Sequence, residues 1–96
     1  MSQTNPINLL RLPDVIKRMG GSKATIYNMI NEGTFPVPVK MGARTSVFPE
    51  HEVVRLQHTI IAGASNEEVK KIVMDMQEMR KYSYPILLNV KPSGDG

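Results

Sequence analysis

Residues 9–48 read LLRLPDVIKRMGGSKATIYNMINEGTFPVPVKMGARTSVF. The order of apolar stripes, glycines and prolines in this stretch decides the fold. Leu9, Leu10, Arg11 and Leu12 form a short, largely apolar segment, expected to be a small strand. Pro13 suits the first position of a helix, where its missing N–H has no partner to lose, and Asp14 favours the positive helix end. Leu12, Val15, Ile16 and Met19 recur at i, i+3, i+4, i+7, one apolar face of a helix that Gly20 terminates. Gly21 continues the turn, and Ser22 is a good N-cap for a second helix over about residues 23–32, which Gly33 ends.

The second helix buries Ile26, Met29 and Ile30. At about 100° per residue, Ala24, Tyr27, Asn28 and Asn31 then point the other way. A merely solvated helix face collects Glu and Lys. This one offers Tyr and Asn, side chains that donate and accept hydrogen bonds. Phe35-Pro36-Val37-Pro38 cannot be helical, because each proline blocks the helix and biases the residue before it to extended geometry. Val39-Lys40-Met41 and Thr45-Ser46-Val47-Phe48 flank Gly42-Ala43-Arg44, the pattern of a hairpin with glycine at its turn.

Outward from this stretch, Pro49-Glu50 starts a third helix, with Val53, Leu56 and Ile60 expected along its buried side, Val54 and Ile61 adjacent, and Gly63 at its end. Ser65-Asn66-Glu67-Glu68 is a capping box that opens a fourth helix to about Tyr82. Val69, Ile72, Val73, Met76 and Met79 form its apolar stripe. The 3, 4, 3 spacing of Val69, Ile72, Met76 and Met79 fits either a coiled-coil seam for dimerisation or packing on the third helix. The domain organisation expected is a loose arm over 1–8, a DNA-binding unit over 9–63, a C-terminal helix over 64–82, and a tail over 83–96 with a short apolar segment at 86–90. The fold class expected is mainly α with a small β-hairpin, a winged helix-turn-helix plus a C-terminal helix.

Charge is unevenly distributed. Within 9–48, Arg11, Lys17, Arg18, Lys23, Lys40 and Arg44 face only Asp14 and Glu32, a net of +4, whereas 49–96 nets −1, giving the total of +3. Positive charge concentrated on a two-helix unit with a basic hairpin is the electrostatic footprint of a small double-stranded-DNA-binding module. In that geometry the second helix enters the major groove and the wing reaches phosphates or the minor groove.

Other chemistries lack their residues. The chain has no cysteine, so it can build neither a disulfide nor a thiolate metal site. His51 and His58 lie seven apart on the third helix, and no metal or cofactor site is expected from them. The serines sit in capping, turn or terminal contexts without a glycine elbow, and Gly20-Gly21-Ser22-Lys23 has the wrong glycine spacing for a phosphate loop. Catalysis is therefore not expected. The N-terminus MSQTNPIN lacks the basic start and apolar run of a signal peptide, and no apolar run approaches a membrane span. A cytoplasmic protein, nucleoid-associated when on DNA, is the expectation.

The Leu-Arg-Leu-Pro opening, the Ser-x-x-Thr-Ile-Tyr motif within residues 22–30, Gly33-x-Phe35-Pro36, Pro38-Val39-Lys40 and Gly42-x-Arg44 together resemble the AlpA family of phage-type regulators, related to excisionases and MerR-like winged helices. The resemblance covers less than half of the chain. It implies that the first two helices read DNA, and that the protein acts as an excisionase (a recombination directionality factor) or a transcriptional regulator of a mobile element. The chain departs from the pattern at Asn28, where relatives often have a basic residue, near Phe48, where many have tryptophan, and in its extension from Ser65 onward.

Chemistry and resemblance together assign roles. Ser22 and Lys23 lie at the recognition-helix N-terminus near phosphates or base edges. Thr25 and Tyr27 contact phosphates, Asn28 pairs bidentately with adenine, and Asn31 does the same or bridges through water. Lys40 lies on the wing, Arg44 enters a narrow minor groove, and Thr45 and Ser46 meet the flanking phosphates. So small a domain covers few base pairs, which implies repeated copies on DNA, an integrase, or RNA polymerase as partners. The competing reading is a protein-interaction adaptor, as in phage packaging, with the fourth helix or 86–90 as its docking element.

Overall fold

The computed structural model describes residues 8–83. The expected arm, apart from its last residue Asn8, and the 86–90 segment with the rest of the tail after Ser83 lie outside the described residues. The chain runs β1 (Leu9–Leu10), α1 (Leu12–Met19), α2 (Lys23–Glu32), β2 (Val39–Lys40), β3 (Ser46–Pro49), α3 (Glu50–Ile61) and α4 (Asn66–Ser83). It is mainly helical with a small three-stranded antiparallel sheet, an arrangement compatible with a winged helix-turn-helix.

The turns form for the reasons their residues suggest. Gly20 and Gly33 close α1 and α2 in the left-handed region, with φ of 79° and 82°. Ser65 and Glu68 make the reciprocal capping box: the Ser65 N–H donates to Glu68 Oε1 at 2.8 Å, and the Glu68 N–H donates to Ser65 Oγ at 3.2 Å. The bond from the Ser65 N–H, and after it the Ser65 side chain, hold the Glu68 carboxyl below its ordinary pKa.

The sheet is larger than the expected hairpin. β3 lies in the centre, pairing Leu9 with Pro49 and Leu10 with Phe48 on one side, and Val39 with Val47 and Lys40 with Ser46 on the other. The segment before α1 yields a strand of two residues only, and Leu12 already belongs to the helix. Asn8, assigned to a loose arm, is tied down: its carbonyl accepts the Glu50 N–H at 2.8 Å and its side chain donates to Glu50 Oε1 at 2.7 Å.

One core joins β1, β3 and all four helices. Leu10, Val15, Ile26, Phe35, Phe48, Val53 and Leu56 are buried together with Val69, Val73 and Met76 of α4. Phe35 and Phe48 meet edge to face, their ring centroids 5.6 Å apart. The apolar stripe of α4 is thus spent inside the monomer, packed on α3, rather than held out as a seam; Met79, expected on it, is exposed. Any dimer through α4 would have to use its other faces.

One expectation about α3 is corrected. Ile60, placed on the buried side, is exposed, and Ile61 is 81% exposed; the buried positions of α3 are Glu52, Val53 and Leu56, all in its first two turns. Glu52, in the first turn of α3, is 3% exposed. Its carboxylate receives Arg80 of α4 in a two-pronged pair, Nη2 to Oε1 at 2.6 Å and Nε to Oε2 at 2.9 Å. Sequence spacing shows a carboxylate in a first turn. It does not show that a guanidinium 28 residues later covers it.

Candidate nucleic-acid interface

Helix α2 is delivered by a tight corner. A Cβ on Gly21 would lie 3.0 Å from Thr25 Cβ and Cγ2, so a larger residue there would make the Thr25 side chain give way by a few tenths of an ångström. Ser22 caps the helix: its Oγ accepts the Thr25 N–H at 3.1 Å and lies 3.0 Å from Thr25 Oγ1. Between these two hydroxyls one hydrogen is used in their mutual bond and the other is left to donate outward. The first turn of α2 holds no carboxylate, which leaves the positive end of the helix unneutralised from within.

The outer face of α2 is as the spacing requires. Ile26 is fully buried, while Lys23, Ala24, Thr25, Tyr27, Asn28 and Asn31 are all exposed. Tyr27 is 45% exposed, so its ring is not a core aromatic. The hairpin carries exposed Lys40 and Arg44, with Thr45 and Ser46 half-buried beside them. Its loop turns at Gly42, φ 88°, and closes where the Met41 N–H donates to the Thr45 carbonyl at 2.7 Å.

The ion pairs sort the charges. Glu50 pairs with Arg18, Asp75 with Arg55, Glu67 with Lys70 and Glu52 with Arg80. Most carboxylates of α3 and α4 are therefore neutralised locally. Arg11, Lys17, Lys23, Lys40 and Arg44 make no ion pair among the described residues. Of the six cations counted in 9–48, only Arg18 is diverted to an internal partner. Arg11 and Lys17, to which the motif reading assigned no role, are exposed and belong with the other unpaired cations. Their signal was present in the charge count. The Glu50 carboxyl lies below its ordinary value, held there first by the Asn8 side chain and then by Arg18.

A glycine-cornered helix pair with a polar, cation-flanked outer face, followed by a basic hairpin paired into a three-stranded sheet, is compatible with a winged helix-turn-helix type of module. The chain belongs to the AlpA family: the family described as "Prophage CP4-57 regulatory protein (AlpA)" matches residues 8–59. The resemblance carried by the motifs is thereby confirmed. The chain is also similar to the "Uncharacterized protein ORF88" of Enterobacteria phage P4, 37% identical over 54 residues, 56% of this chain and 61% of that protein. The chain thus spans about three fifths of that relative's length. No solved structure gives a significant match. Among the described residues no helix is long and apolar enough to cross a membrane.

Proposed function

We propose that this chain is a sequence-specific double-stranded-DNA-binding regulator of a mobile element, acting as an excisionase, a transcriptional regulator, or both. The observation that carries the reading is the contrast between the two halves of the charge distribution. Carboxylates on α3 and α4 are largely paired, while five exposed cations around α1, α2 and the hairpin make no ion pair among the described residues. Membership of a phage regulatory family supports the same conclusion.

In this reading Lys23 and the Ser22–Thr25 hydroxyl pair meet phosphates at the start of α2. Tyr27 contacts a phosphate, and Asn28 and Asn31 read base edges in the major groove. Lys40, Arg44, Thr45 and Ser46 carry the wing contacts, with Arg44 in the minor groove. Copies side by side on repeated sites, an integrase, or RNA polymerase supply the specificity that one small module lacks.

The test is selection from random duplex oligonucleotides, followed by titration at several salt concentrations. With five cations neutralising phosphates, log affinity should fall against log salt with a slope of about −4 to −5. Tandem motifs recovered near an attachment site indicate excision; a single motif at a promoter indicates transcriptional regulation. No enriched motif, with a slope near zero, refutes the proposal. The exposed Ile60–Ile61 pair is the observation on the side of a protein-interaction adaptor. A stable hetero-complex without DNA affinity would favour that alternative.

A further inference from the structure

The segment joining α2 to the hairpin passes through Pro36-Val37-Pro38. The two prolines have no N–H, so Val37 holds the single backbone donor of this tripeptide. That donor and the carbonyl of the same residue are both taken by α4. The Val37 N–H donates to Gln77 Oε1 at 3.0 Å, and Arg80 Nη2 donates to the Val37 carbonyl at 2.8 Å. Gln77 and Arg80, three apart on one helix face, thus grip one residue of the hairpin root as a neighbouring strand would. Arg80 is itself fixed by its two-pronged bond to buried Glu52 of α3.

We infer that Gln77 and Arg80 are positioning residues that set the orientation of the wing, so that α4, which lies beyond the family's matched region of 8–59, tunes DNA contact without touching DNA. The inference rests on the DNA-binding reading above. Leverage makes the anchor matter. Extended chain rises about 3.3 Å per residue, so a tilt of about 10° at Val37 moves a tip roughly 20 Å away by roughly 3 Å. That exceeds the few tenths of an ångström a hydrogen bond tolerates. Two prolines stiffen the root, so its remaining freedom is rotation as a unit, the motion that paired bonds to both sides of Val37 oppose.

Two variants remove the grip and keep the packing. Gln77→Met deletes the acceptor. Glu52→Leu with Arg80→Met replaces the buried pair by apolar groups, avoiding the lone buried charge that Arg80→Met by itself would leave. Each is titrated against the duplex recovered by random-oligonucleotide selection, with and without Arg44→Ala. A positioning role predicts coupling. Each variant weakens binding about five-fold when Arg44 is present, and under about two-fold when Arg44 is already alanine. In the free protein, amide exchange at Val37 and Met41 should accelerate in Gln77→Met, while Thr25 and Ile26 stay as they were. Additive losses across the Arg44→Ala cycle, or unchanged exchange at Val37 and Met41, overturn the inference while leaving the DNA reading intact. A wild-type chain that binds no duplex refutes the DNA reading and removes the premise of this one.

Discussion

At the residue scale, the outer face of α2 and the tip of the hairpin should fail in different ways when altered. Asn28 is exposed on α2 with an amide able to form two bonds to one adenine edge. Asn28→Ala is expected to relax preference at one base position by about 1–3 kcal/mol and to leave the salt slope unchanged, measured by competition among single-base variants of the selected site. Arg44 is exposed in the hairpin loop and makes no ion pair among the described residues. Arg44→Ala should weaken binding to every duplex and reduce the salt slope by about 1, measured by titration across ionic strengths. Reversed signatures would exchange the roles assigned to helix and wing. Asn28 also shows what local spacing can reveal. Periodicity alone placed it opposite Ile26, because helical geometry leaves no other direction for its side chain.

At the element scale, helix ends and strand pairings are where local chemistry acts. The Glu50 carboxylate joins the start of α3 to Asn8 before β1 and to Arg18 of α1, three segments bound through one side chain. These contacts lower its pKa from the usual 4.5. A carboxyl with a depressed folded pKa stabilises the fold fully above its unfolded value, and that contribution is lost as pH falls through the folded one. Stability of the wild type should therefore decline below about pH 4.5 more steeply than that of Glu50→Gln, with the two acid limbs converging at the lowest pH, as read by denaturant melts from pH 7 to 3. Parallel acid limbs would show that the contacts contribute nothing. Glycine and serine marked the helix ends accurately, since a left-handed C-cap and an N-cap hydroxyl are satisfied within a few residues. The partner of β1 was not legible. Leu9 and Leu10 pair with residues some forty positions away, and no local signal encodes that register.

At the scale of the whole molecule, α1, α2 and α4 share one core. Met76 and Val73 are buried with Ile26, Phe35 and Phe48, so loss of packing on α4 should be felt at α2. Met76→Ala is expected to cost about 2–5 kcal/mol and to lower the melting of α4 and the α1–α2 pair together in a single transition. The checking measurement is thermal unfolding followed at residue level by NMR; separate transitions would show that α4 folds on its own. Tyr27 is too exposed to report on this core, which lies on the opposite face of α2.

The chain by itself determined where its helices begin and end, which face of α2 is polar, and where its positive charge collects. Each of these depends on residues within a turn or two of one another, or on simple counting. Tertiary structure decided the rest. It selected packing on α3 over an exposed seam for the α4 stripe, buried Glu52 under Arg80, left Ile60 and Ile61 in water, and closed Gln77 and Arg80 on Val37. Those outcomes depend on which elements meet across dozens of residues, and a periodic pattern states that a face will be covered without stating by what.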